Sequence, residues 1–270
     1  DGTGQQNTVV LHIGGDFVFI VIFLCYSLFF TEEKDVKLIS KLVGLFITYV
    51  IYLLRNRKHD KIYEQVVSIF EEKYKDIISG TFPKDKRSYK KLRQAIVFYN
   101  TDEFEKAHKL LDKLLKKCKS KQDYSAVYMF HALCFVDETK MDDAIAAYQK
   151  LLQYDSTNSR AWSNLGLRYM EKGRMAEARV AYGNALMYNP DNPYAYNNLG
   201  TCYLRMGEPQ PALDYALKAL QINGTLYQAM GLAAMAYKSL GDTENAEKYC
   251  NMYGANGGDA RDLRETLKHM

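Results

Sequence analysis

Paired cysteines are missing from this 270-residue chain. Cys25, Cys118, Cys134, Cys202 and Cys250 are an odd set without a C-x-x-C couple, which argues against a disulfide framework and fits small core residues in a reducing compartment. The five histidines are scattered without metal-ligand spacing, so no metal site is expected. Gly14–Gly15 has no G-x-G-x-x-G or P-loop surroundings and reads as a bend. No Ser-His-Asp or Cys-His arrangement stands out. The chain is therefore expected to be no enzyme, with no cofactor and no small-molecule substrate.

A large charge of one sign is also lacking: the formal net charge is +4. It is unevenly spread, since Lys plus Arg against Asp plus Glu gives 3 − 5 = −2 for residues 1–54, 19 − 11 = +8 for 55–124 and 14 − 16 = −2 for 125–270. The basic middle mixes lysines with acids at helical spacing and has no interleaved aromatic platform, so nucleic acid is not an expected partner.

Two apolar runs are present near the start. Phe17–Phe30 and Leu42–Leu54 carry no charge and are separated by a balanced polar stretch. Each is shorter than the roughly 20 residues a spanning helix needs, and each can be extended backwards, the second if Lys37 and Lys41 snorkel. A secretory signal fits poorly, because no Lys or Arg precedes the first run. Residues 1–54 are expected to form an apolar helical hairpin in a membrane. Arg55, Arg57, Lys58 and Lys61 follow the second run, which places what comes after it in the cytoplasm. The competing expectation is a soluble cytoplasmic protein in which both runs are buried in an N-terminal globular domain. Residues 55–87 read as a basic amphipathic helix and linker, with Ile62, Val66, Phe70, Tyr74 and Ile77 or Ile78 on one face and Gly80 as its stop.

The rest of the chain repeats itself. In 159–192, Trp162, Leu165, Gly166, Tyr169, Ala178, Tyr182, Ala185 and Pro190 fall at W-x2-L-G-x2-Y, A-x3-aromatic and P spacings. A shift of 34 residues recovers Tyr169, Tyr203 and Tyr237, then Gly173, Gly207 and Gly241, then Ala178, Ala212 and Ala246. This pattern resembles the tetratricopeptide repeat (TPR) family. The resemblance implies an all-α superhelical solenoid of about five helix-turn-helix repeats over 88–258, at 88–124, 125–158, 159–192, 193–226 and 227–258. The first is degenerate, with a lengthened loop over Lys116–Asp123, and Thr139 replaces the turn glycine of the second. Gly166 and Gly200 are expected opposite Ala178 and Ala212. Asn192 with Pro193 reads as a helix start, and 259–270 as a capping helix anchored by Leu263 and Leu267.

In that family the first helices line a concave groove that holds peptides. Carried over by position, the groove contributes Met129, Phe130 and Leu133; Arg160, Ser163, Asn164 and Leu167; Tyr194, Asn197, Asn198, Thr201 and Arg205; and Gln228, Leu232 and Met235. It is thus apolar at its ends and polar in the middle. Asn164 and Asn198 form a ladder one period apart that suits the main chain of an extended peptide, and Arg160 and Arg205 suit an acidic group. The carboxylate clamp by which some family members grip a chaperone tail is not matched: either register keeps a single clamp Asn, Asn164 or Asn198. The function implied is a non-enzymatic scaffold for a peptide or protein partner, with Arg160, Asn164, Tyr194, Asn197, Asn198, Arg205 and Gln228 as its contact residues.

Overall fold

The computed structural model describes residues 60–270, and both apolar runs, the expected membrane hairpin and Cys25 lie outside them. Among the described residues no helix is long and apolar enough to cross a membrane. These residues separate into two units, 60–68 with 100–102, and 69–99 with 103–270.

Thirteen helices make up the described chain. Helix α1 (Asp60–Lys73) and the single turn α2 (Lys75–Ile78) precede the repeats. The five hairpins are α3 (Lys86–Asn100) with α4 (Phe104–Leu115), α5 (Lys121–Asp137) with α6 (Met141–Tyr154), α7 (Ser159–Glu171) with α8 (Met175–Tyr188), α9 (Pro193–Arg205) with α10 (Pro209–Ile222), and α11 (Tyr227–Ser239) with α12 (Thr243–Ala255). Helix α13 (Ala260–Lys268) closes the array, with Leu263 and Leu267 buried against Ala234 and Cys250. From α4 onward each helix packs on its successor.

One turn closes every hairpin. Its left-handed residue is Asp102, Thr139, Gly173, Gly207 or Gly241, and a second such turn at Gly257 leads into α13. Around each, the N–H after the turn donates to the carbonyl of an aromatic residue five positions earlier: Glu103 to Phe98, Lys140 to Phe135, Arg174 to Tyr169, Glu208 to Tyr203, Asp242 to Tyr237 and Gly258 to Tyr253, at 2.8–3.0 Å. This is the six-to-one bond of a Schellman motif, and it satisfies carbonyls that the helix end would otherwise leave open. Thr139 does take the glycine position, at φ 63°.

The helices of a hairpin meet over alanine. Ala107, Ala144, Ala178, Ala212 and Ala246 are all buried. A Cβ on Gly200 would lie 3.0 Å from the Ala212 carbonyl oxygen and 2.7 Å from Leu232 Cδ2, as expected of an Ala-facing glycine. Gly166 differs, because the Tyr182 ring rather than Ala178 fills the space beside it, 3.0 Å from where a Cβ would stand. The second repeat also departs from expectation. Its first helix begins at Lys121, four residues before the 34-residue frame would start it, so Lys121–Asp123 belong to a helix and not to a loop. The cause is a capping box: Ser120 Oγ accepts from the Asp123 N–H at 3.1 Å while Asp123 accepts from the Ser120 N–H at 3.0 Å.

Gly200→Ala should lower the midpoint of urea unfolding, a loss of about 1–3 kcal/mol, because the Ala212 backbone cannot give way. Gly183→Ala, where a Cβ meets open space inside α8, should raise it by up to about 1 kcal/mol.

Candidate functional site

The expected contact residues lie on three first helices: Arg160 and Asn164 on α7, Tyr194, Asn197, Asn198 and Arg205 on α9, and Gln228 on α11. Tyr194 is 57% exposed and Arg205 is exposed at the end of α9. Asn197 is only 9% exposed, and its Oδ1 is enclosed without a partner. Gln228 is half-buried with Oε1 enclosed in the same way. The row is therefore not one open ladder. Met129, Phe130 and Leu232, carried over as groove residues, are all buried.

The two ladder asparagines stand against tyrosines of the preceding hairpin. Burial drives the Tyr148 hydroxyl up to about 12, offset in part by the charge of Arg168 and, after it, by the Asn164 amide. Tyr182 is pushed upward by burial too, with Asn198 beside it, although its hydroxyl has no partner of hydrogen-bond geometry. Asn198 Oδ1 also accepts from Asn197 Nδ2 at 3.1 Å, and Asn164 Nδ2 lies 3.9 Å from Met129 Sδ. Where the tyrosine column gives way to Ala216, the Asn position one repeat on is Leu232, packed in the same core as Ala216.

Arg160 has an occupant. Its guanidinium forms an ion pair with the carboxylate of Asp76, a residue of α2 that is 84 positions earlier. The same turn places Tyr74 edge-on to Phe130, ring centroids 5.2 Å apart at 81°. Ile77 packs into the core that includes Met129 and Leu133. The expected amphipathic helix over 61–79 is thus broken at Tyr74, and its second part lies on the first-helix face.

Sequence reasoning passed over two further clusters. Asp123 is 3% exposed and accepts from the N–H groups of Phe82 at 2.7 Å, Lys119 at 3.0 Å and Ser120 at 3.0 Å. Burial raises its pKa, but these three donors outweigh that and hold it below the usual carboxylate range. The S-x-x-D spacing before an apolar run was the available signal. His108 Nδ1 and His131 Nδ1 are 2.7 Å apart, a contact that requires one shared proton. His108 Nε2 lies 3.0 Å from Glu138 Oε2, and the other carboxylate oxygen, Oε1, accepts from Lys140 Nζ at 3.0 Å. His131 Nε2 is 3.4 Å from Asp112 Oδ1 but lacks hydrogen-bond geometry. Burial, then the charge of His108, lowers His131 to about 4, against a smaller opposing pull from Asp112. Residues 23 apart on different helices leave no periodic trace.

Stacked antiparallel helical hairpins with a capping helix define an α-helical repeat protein. Residues 166–207 match the family described as TPR repeat, and 193–226 and 227–251 match tetratricopeptide repeat. Residues 166–251 are thus tetratricopeptide repeats. Crystal structures of MamA are similar in fold, one with TM-score 0.57 at 22% identity over 63% of this chain and 91% of that one. PilF of Pseudomonas aeruginosa gives 0.54 at 22% identity, over 67% and 88%. No curated protein matches in sequence.

His131 sets a pH dependence. Its folded pKa lies below the unfolded value of about 6.5, so the unfolded chain binds more protons between the two values and stability falls as pH drops through that window. Thermal midpoints measured from about pH 7.5 to about pH 4.5 should fall below about pH 6.5, by on the order of 3 kcal/mol in total, and His131→Phe should flatten that slope. Asp123 contributes the same sign only at lower pH, as its carboxylate is protonated.

Proposed function

We propose that this TPR scaffold binds a peptide or protein segment along its first-helix face. Its repeats make it a protein-interaction scaffold. The observation that carries the finer reading is the ion pair between Arg160 and Asp76, in which the face already holds a carboxylate and a short helical turn. Beyond Arg160, the exposed Tyr194 and Arg205 offer an aromatic surface and a cation, and Asn164, Asn198 and Gln228 supply amides at the rim. Aromatic and arginine side chains are the usual anchors of such surfaces. The partner is a protein; no nucleic acid is invoked.

The scaffold is anchored to a membrane by Phe17–Phe30 and Leu42–Leu54, with the repeats on the cytoplasmic side. Uncharged runs followed by Arg55, Arg57, Lys58 and Lys61 support this reading.

Two measurements test the two halves. Pulldown by the tagged full chain should lose about tenfold or more of its captured partner on Tyr194→Ala with Arg205→Glu, a change of at least about 1.4 kcal/mol, with an unaltered melting curve because both side chains are exposed. Unchanged capture would move the site elsewhere. For the anchor, the full chain should remain in the pellet after alkaline carbonate extraction, whereas release into the supernatant would remove the membrane reading.

A further inference from the structure

The ion pair between Asp76 and Arg160 has a geometry that says what the face accepts. Helix α2 is one turn long, and it bridges two repeats, with Tyr74 on Phe130 of α5 and Asp76 on Arg160 of α7. Ile77, between those contacts, packs against the core cluster to which Met129 belongs and against which Leu133 also packs. After it the chain reverses at Gly80, φ 75°, and the Phe82 N–H is tied to Asp123. The turn therefore reaches across the face from one end.

We propose that Tyr74–Ile78 is an internal occupant of a docking site made by Met129, Phe130, Leu133 and Arg160. A partner takes the same site with a short helical turn that presents an aromatic residue, a carboxylate two positions on and an aliphatic residue next to it. The assignment rests on the first-helix face being the partner surface, and it names the chemistry of one part of it. Two observations set the recognition. Of the four residues, three are apolar and one is a cation, so a matching ligand carries one carboxylate among apolar groups. The ion pair is half-exposed on both sides, at 50% and 56%, so water, salt and a competing carboxylate reach it. The apolar contacts of Tyr74 and Ile77 hold the turn in place, and the exposed pair sets its register.

A synthetic peptide spanning residues 69–82, fluorescently labelled, tests this in trans on the full chain. Wild-type protein, whose site is filled, should bind it weakly. Asp76→Lys with Ile77→Asp, which loosens the internal turn, should bind it at least about tenfold tighter. Asp76→Ala alone changes one half-exposed residue, keeps the fold and should fall between the two. A peptide with its own Asp76→Lys change should bind neither protein, and should regain binding to a chain carrying Asp76→Ala, Ile77→Asp and Arg160→Asp, whose internal turn has no cation at position 76. Equal binding to wild-type and Asp76→Ala protein, or no binding to either variant while its helical circular dichroism matches wild type, overturns the proposal. Indifference of peptide binding to the Arg160 charge does so as well. Because the experiment uses no cellular partner, its failure would leave the capture result with Tyr194 and Arg205 untouched.

Discussion

The bond from the N–H after each turn back to an aromatic carbonyl five residues earlier is the constraint on which the array depends. It recurs from Phe98 to Tyr253 among the described residues, and in each case it folds one helix back on its predecessor. A left-handed residue is required at its centre, which glycine supplies with little cost. Thr139 and Asp102 supply it at about 1–2 kcal/mol each, and the second hairpin nevertheless closes with the same 2.8 Å bond at Lys140. Tertiary packing of Ala144 against its neighbours, and the burial of Ala132, Tyr148 and Leu151, outweigh that local cost.

Once the turn fixes the hairpin, the core dictates much of the first-helix face. A large residue at one level imposes a partner at the next. Tyr148 and Tyr182 bring a hydroxyl into a buried layer, and an asparagine stands beside each; Ala216 brings none, and Leu232 takes the asparagine's place. A buried phenol without a neighbouring amide costs more than one with it, whereas a leucine beside an alanine simply fills space. Asn164 and Asn198 thus face the interior of the preceding hairpin as well as the proposed partner surface.

This explains which parts were legible. The 34-residue columns, the Asn192–Pro193 start, the left-handed Thr139 and the capping Leu263 and Leu267 all express local geometry, which repeats in the chain wherever it repeats in space. Frame transfer failed at Met129, Phe130 and Leu232, because the frame states where a residue points and not what covers it. It also misplaced the start of α5, where the Ser120 capping box overrides the period. The link between Asp76 and Arg160 and the pairing of His108 with His131 join residues that no period relates. Only the folded chain brings them together.

The pattern of a first-helix face apolar at both ends and polar between takes on a different meaning in this light. At the amino end, Met129, Phe130 and Leu133 are apolar where the next two repeats have Ser163 and Asn197, Asn164 and Asn198, and Leu167 and Thr201, and it is there that Tyr74 and Ile77 lie. At the other end, Leu232 is enclosed against Gly200, and Met235 packs with the Leu263–Leu267 cap. Apolar residues on this face therefore mark where the chain covers itself, since exposed apolar surface of that size would favour association. Beyond Arg160, the exposed positions on this face, Tyr194 and Arg205, are not aliphatic. On the proposed reading, a partner docking there would be selected by hydrogen bonds, charge and the ring of Tyr194, and its binding should depend on complementarity of polar groups more than on apolar area.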